Sequence, residues 1–268
     1  MLIVTRFPKQ VYMNILKATK VGHRFGGLRV VEDFNLELYE GDLVGVIGPN
    51  GAGKTTVFNL ITGVYRASSG SIRFKGTELV GKTPNQIAAL HIGRTFQNIR
   101  LFRDLSVLDN VRIAHYSQVD YTPWEALLHL GRFRREEQRV IDHARELLAI
   151  FKLEHLAGEK AKNLPYGLQR RLEIARALAI SPELLLLDEP AAGMNPREID
   201  QLMELILWVR REFKLTILLI EHQMKLVMGI CERIQVLDFG VTLAEGPPKL
   251  IQNHPRVLEA YLGEVPVK

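Results

Sequence analysis

Three kinds of hydrophobic pattern succeed one another along this chain. Short apolar and alternating runs separated by glycine-rich turns come first, then a stretch with helical periodicity, then continuous apolar runs that alternate with amphipathic segments. In the first part, residues 14–21 read as an edge strand, Arg24-Phe25-Gly26-Gly27 as a turn, and 30–38 as a strand whose end alternates with the period of a half-buried sheet face. Glu40-Gly41-Asp42 turns the chain into the apolar run 43–47. Gly63 and Ser68-Ser69-Gly70 mark turns around a further strand at 71–74. Together these strands predict an antiparallel layer beside a main sheet. Residues 1–13 carry no period and read as a loosely held arm.

From about 98 to 163 apolar positions recur at helical spacing. Ser106-Val107-Leu108-Asp109 starts one helix. Thr122-Pro123-Trp124-Glu125 supplies an N-cap, a proline at the first helical position and a glutamate at the third for another. A third runs from about 132 to 150, with Val140, Ala144, Leu147 and Leu148 on its apolar stripe and Arg134, Arg135, Glu136, Glu137 and Arg139 forming a solvated face at its start. The stretch reads as a helical subdomain inserted into an α/β core, in one domain that runs from 14 to 268. The sheet resumes at 183–190, where Leu184, Leu185, Leu186 and Leu187 suit a strand buried on both faces. Asn195-Pro196-Arg197-Glu198 caps a helix lasting to about 213, and 215–220 makes the next buried strand. Alternating strands and helices predict an α/β fold with a mostly parallel sheet.

Composition narrows the class without changing this picture. A chain of 268 residues, 47% hydrophobic and 24% charged, can bury one large core or a core plus a subdomain. No apolar run approaches the roughly 18 residues that span a bilayer, and Leu2-Ile3-Val4 is too short for a secretory signal, which points to the cytoplasm. The single Cys231 has no second thiol for a disulfide or a zinc site and reads as a packing residue. The net charge of +5 is compatible with nucleic acid or an anionic membrane surface but is modest for this length.

The chemistry concentrates where strands end. Gly48-Pro49-Asn50-Gly51-Ala52-Gly53-Lys54-Thr55-Thr56 lies between the run 43–47 and a helix through 57–61. Glycines in such a loop let backbone N–H groups turn toward phosphate oxygens, and the helix adds the positive end of its dipole. Lys54 would then reach the β- and γ-phosphates and Thr55 the magnesium. Asp188 and Glu189 close the leucine strand at its carboxyl end, where ligands bind in open α/β sheets. Alone they would read as capping acids. Beside a phosphate loop, Asp188 becomes the residue that orients magnesium and Glu189 a candidate base for the attacking water. A lone His222, just past the next strand, would ordinarily be structural.

In these residues, in this order, the chain resembles the ATP-binding cassette ATPases, the nucleotide-binding subunits of ABC transporters, from about residue 14 to 263. Residues 48–55 are similar to the Walker A loop and 184–188 to the Walker B strand. The resemblance implies that Gln97, in Arg94-Thr95-Phe96-Gln97-Asn98, touches the magnesium and the nucleophilic water and reports on the membrane partner. It implies that Phe25 stacks on adenine and that His222 contacts the γ-phosphate. Leu164-Pro165-Tyr166-Gly167-Leu168 resembles the family's signature, which offers a serine hydroxyl and backbone N–H groups to the nucleotide of the opposite subunit. Here Pro165, Tyr166 and Leu168 stand where serine, glycine and glutamine are usual, and Pro165 has neither hydroxyl nor N–H. Asn195 stands where the D-loop normally ends in aspartate, keeping an acceptor without the charge.

The 164–167 and 188–196 segments, residues 220–228 and the terminal Ala260-Tyr261-Leu262-Gly263-Glu264 resemble most the ATPases of branched-chain and other hydrophobic amino-acid importers. The ATPase of lipopolysaccharide export is similar too, but usually keeps the serine-glycine-glycine signature. The importer resemblance implies ATP and Mg2+ as ligands, transmembrane permease subunits and a second ATPase subunit, a paralogue or a second copy, as partners, a solute-binding protein indirectly, and a place on the inner face of the cell membrane. A soluble ABC ATPase acting on nucleic acid or in cofactor assembly is the reading from another class. No tandem cassette, zinc module or long coiled coil of that class is present, so no nucleic acid is expected.

Overall fold

The computed structural model describes residues 13–116, 123–127 and 131–262. Strands β1 (Asn14–Phe25) and β2 (Leu28–Tyr39) form a long hairpin around Gly26, whose φ of +57° suits the two-residue turn. Then come β3 (Leu43–Ile47), α1 (Lys54–Ile61), β4 (Ser69–Phe74), β5 (Thr77–Glu78), α2 (Pro84–Ala88) and β6 (Ile92–Arg94). Three helices follow, α3 (Val107–His115), α4 (Pro123–Leu127) and α5 (Gly131–Ile150). The second half runs α6 (Tyr166–Leu178), β7 (Leu184–Asp188), α7 (Pro196–Glu212), β8 (Thr216–Ile220), α8 (Met224–Ile230), β9 (Arg233–Asp238), β10 (Val241–Gly246), α9 (Pro248–Gln252) and α10 (Pro255–Leu262). Among the described residues no helix is long and apolar enough to cross a membrane.

The main sheet has the order β10-β9-β3-β8-β7-β6, parallel throughout except for β10, and the second sheet is antiparallel in the order β2-β1-β4-β5. The mostly parallel core and the antiparallel layer therefore match what the patterning predicts. The first strand does not: β1 lies between β2 and β4, in the interior of its sheet and not at an edge. It also continues to Phe25 through register shifts after Ala18 and Val21, which interrupt the alternation that marks a strand in sequence.

Two cores lie on the two faces of the main sheet, and the leucine strand divides between them. Leu184 and Leu186 join Val44, Val46, Leu218 and Ile220 in a cluster closed by Phe58 and Ile61 of α1 and by Ile15, Phe34 and Ile72 of the antiparallel sheet. Leu185 and Leu187 join Ile217 and Leu219 in a cluster closed by α6, α7 and α8, and by Val111 of α3 and Ala144, Leu147 and Leu148 of α5. Each fully buried leucine contributes about 1.5–3 kcal/mol by leaving water. Cys231 belongs to the second core, where burial pushes its thiol up to about 12, in keeping with a packing role.

Local signals account for several element ends. The Ser106 hydroxyl accepts the Asp109 N–H at 3.0 Å and starts α3. Asn195 and Glu198 form a reciprocal capping box ahead of Pro196 at the start of α7. Thr122, the expected cap of α4, lies outside the described residues, as do 1–12 of the expected arm. The short β6 and the final β9, β10, α9 and α10 go beyond what the pattern reading assigns.

Candidate active site

The loop after β3 is shaped by its close approach to neighbouring backbone. A Cβ on Gly48 would lie 2.0 Å from the Leu237 carbonyl oxygen, and one on Gly53, whose φ is +96°, 2.8 Å from that of Val30. Only glycine fits at either place. Pro49 is half-buried and Asn50 exposed, Ala52 and Gly53 are buried, and Thr55 and Thr56 stand exposed and half-buried on the first turn of α1. That turn holds no acidic residue, and its N-cap makes no side-chain hydrogen bond. Lys54 folds over the loop, its Nζ donating to Gly48 O at 2.8 Å and Pro49 O at 2.9 Å. Burial pulls its pKa below the usual lysine value, while Glu189 and Asp188 oppose that pull.

At the end of β7, Asp188 is 1% exposed. Its Oδ2 accepts from Arg94 Nη2 at 2.8 Å, and its Oδ1 is buried without a hydrogen-bond partner. Burial pushes its carboxyl above the usual aspartate range against the pull of Arg94. Arg94 is itself clamped: Nη1 donates to Asn59 Oδ1 and Thr62 Oγ1, both at 2.8 Å, and the guanidinium lies 4.8 Å from the ring centre of Phe96 and 5.6 Å from that of Phe58. One free carboxylate oxygen, with the neutral oxygens of Thr55 and Gln97, is the donor set that Mg2+ takes when substrate phosphates complete its shell. The residues fit that ion.

Glu189 adopts φ +46°, a strained conformation for a side chain of this size and one that clusters at functional sites. Its N–H is held by Ile220 O at 2.9 Å. Gln97 Nε2 donates to Glu189 Oε2 at 2.7 Å, and His222 Nδ1 lies 3.6 Å from the same oxygen. Three residues separated widely in sequence thus meet at one carboxylate.

Behind them sits Glu221, fully buried. It accepts the Ala191 N–H at 2.7 Å on one oxygen and the N–H groups of His222 and Gln223, at 2.9 and 3.0 Å, on the other. Arg170, also fully buried, donates to Phe96 O at 2.8 Å, to Gln97 O at 3.0 Å and to Glu173 Oε2 at 2.7 Å. Sequence reasoning gives none of Arg94, Arg170, Glu173 or Glu221 a role. Arg170 and Glu173, three apart on a helix, carry the signal of an ordinary exposed pair. Only the charge of Glu221 straight after the four buried apolar residues 217–220 hints at something held inside.

Phe25 is 46% exposed and stands edge-on to Tyr65 and His23, at 5.1 and 4.6 Å between ring centres. In the 164–168 segment, Pro165 and Tyr166 are exposed and Gly167 and Leu168 half-buried at the start of α6. Leu164 is 5% exposed and packs in the helix-side core, so it can meet a ligand through its backbone and not through its side chain. Among the described residues no hydrogen bond or ion pair joins 164–168 to the 48–56 loop of the same chain.

Residues 31–192 match the profile of the family described as ABC transporter, and residues 241–266 that of the branched-chain amino acid ATP-binding cassette transporter. The chain is 49% identical over 241 residues to the high-affinity branched-chain amino acid transport ATP-binding protein LivG of Escherichia coli K12, covering 90% of this chain and 94% of the relative. It is 45% identical over 250 residues to the corresponding protein BraF of Pseudomonas aeruginosa, covering 93% and 98%. Among solved structures, the ADP conformation of MJ1267, an ATP-binding cassette of an ABC transporter, aligns with a TM-score of 0.81 at 31% identity over 94% of this chain and 100% of that one.

Proposed function

This chain belongs to the ATP-binding cassette family of transporters, whose general activity is ATP hydrolysis, and we propose that it is the ATP-hydrolysing subunit of an importer of branched-chain or other hydrophobic amino acids. The observation that carries the proposal is its 49% identity along 90% of the chain to LivG, a protein named for branched-chain amino acid transport. The catalytic unit is one domain, 14–268, with a helical subdomain at about 98–163. It sits on the inner face of the cell membrane against transmembrane permease subunits, together with a second cassette, and receives its cargo indirectly from a solute-binding protein. Nucleic acid is not its ligand.

In the mechanism, Lys54 and the N–H groups of residues 48–56 hold the nucleotide phosphates, and Phe25 stacks on the adenine. Asp188, Thr55 and Gln97 would hold Mg2+, which would supply positive charge to offset that of the phosphate oxygens. Glu189 accepts a proton from the attacking water and orients it, helped by the amide of Gln97, while His222 supports the transferring phosphoryl group. At the 165–168 turn Tyr166 and Gly167 present their N–H groups, with the positive end of α6, to the nucleotide of the second subunit. Leu164 holds that segment to its own core.

The test is purification of the tagged chain from its own cell membranes. It is expected to bring two permease proteins with it and to hydrolyse ATP faster when a leucine-loaded solute-binding protein is added. Lys54→Ala should lose ATP affinity, because its charge neutralises phosphate in the ground state. Glu189→Gln should bind ATP as the wild type does and stop turning over. Co-purification with ribosomes, salt-sensitive binding of RNA or DNA, or membrane partners indifferent to amino acids would overturn the importer assignment.

A further inference from the structure

We propose that Tyr166 is a positioning residue for hydrolysis, its phenol latching the start of α6 to the segment behind Glu189. The Tyr166 hydroxyl donates to Ala192 O at 3.0 Å and accepts from Arg170 Nη2 at 3.2 Å. Both hydrogen-bonding roles of the phenol are therefore in use. Its ring stands against Gly193, where an added Cβ would meet it at 3.8 Å. Leu164, Pro165, Gly167 and Leu168 have no polar side chain, so Tyr166 is the one residue of that turn able to make such a link.

The latch completes a frame around the proposed base. Behind Glu189 the chain is fixed at three points within four residues: the Glu189 N–H on Ile220 O, the Ala191 N–H on Glu221, and the Ala192 carbonyl on Tyr166. The first two anchors come from β8 and its end, whereas the third comes from α6. On its other side, Tyr166 receives Arg170, whose guanidinium holds the carbonyls of Phe96 and Gln97, and the Gln97 amide returns to Glu189 at 2.7 Å. A closed circuit thus runs from Tyr166 through Arg170, Gln97 and Glu189 to Ala192. Because α6 begins at the turn assigned to a second subunit's nucleotide, a shift of that turn is carried to Glu189 through one hydroxyl. The inference rests on the reading of Glu189 as the base.

Tyr166→Phe keeps the ring and removes the link. In the isolated full chain, hydrogen exchange at the amides of residues 192–194 is expected to quicken by about tenfold, with the melting temperature unchanged within about 2 °C. In the membrane complex purified through this chain, kcat should fall about five- to tenfold while KM for ATP stays within about twofold. In a Glu189→Gln background, adding Tyr166→Phe should change the residual rate by less than about twofold, because the two act through one step. Wild-type kcat in Tyr166→Phe beside an inactive Glu189→Gln overturns the latch alone. A parallel loss of kcat, ATP affinity and melting temperature also overturns it, leaving Tyr166 a packing residue. A Glu189→Gln variant that turns over at the wild-type rate removes the base assignment and the positioning role with it.

Discussion

Arg94 and Asp188 set the energetic stakes at the scale of single residues. Each is almost wholly withdrawn from water, and the 2.8 Å ion pair is what Arg94 offers in place of hydration. Removing one member leaves the other charge buried and alone, which costs about 3–5 kcal/mol. Arg94→Met is therefore expected to lower the melting temperature by on the order of 10 °C, and the double variant Arg94→Met with Asp188→Leu to regain most of it, read by thermal unfolding. An unchanged Arg94→Met would mean that Asp188 takes up its proton at little cost. The groups proposed to do chemistry were legible in the sequence because strand, glycine loop and paired acids stand at fixed spacing along the chain. Their supports were not, because Arg94, Arg170 and Glu221 act through contacts with residues 35, 73 and 30 positions away.

Among the elements, those with several turns or an alternating face were readable, and those whose character comes from neighbours were not. Helix α5 shows its stripe and α7 its cap. Strand β6, only three residues long, has no period to show and exists because β7 lies beside it. Capping also gives the asparagine at the end of the D-loop a local role. Asn195 Oδ1 accepts the N–H groups of Arg197 and Glu198, both at 3.0 Å, and Glu198 Oε2 accepts the Asn195 N–H at 2.8 Å. Asn195→Ala should cost about 1 kcal/mol and a few degrees in melting temperature, whereas Asn195→Asp should stay within about 0.5 kcal/mol, since either side chain caps. Equal losses in both would show that the amide N–H, not the acceptor, matters.

At the scale of the whole molecule the question is what this chain associates with. Pro165 brings no hydroxyl to an interface, and the Asn195 acceptor is already engaged by its own helix. On the proposed function, a pairing of two identical chains should therefore gain less from closing over ATP than a pairing with a cassette that supplies those groups. Glu189→Gln protein with ATP and Mg2+ is expected to sediment mainly as a monomer at micromolar concentration and to form a stable heterodimer once the partner cassette is added. A tight ATP-dependent homodimer would remove the need for a second kind of ATPase.

Strand β7, buried on both faces, has one more consequence. Its leucines alternate between two oily compartments, so sliding the strand by one position would swap their occupants and leave both filled. Hydrophobicity alone cannot say where this strand stops. The polar end can: Asp188 meets Arg94, its N–H reaches Thr95 Oγ1 at 3.3 Å, and the Thr95 N–H answers on Leu186 O at 2.9 Å. The acid that would hold the metal is thus also the alignment mark of the sheet, and a misthreaded chain would forfeit its catalytic centre along with its fold.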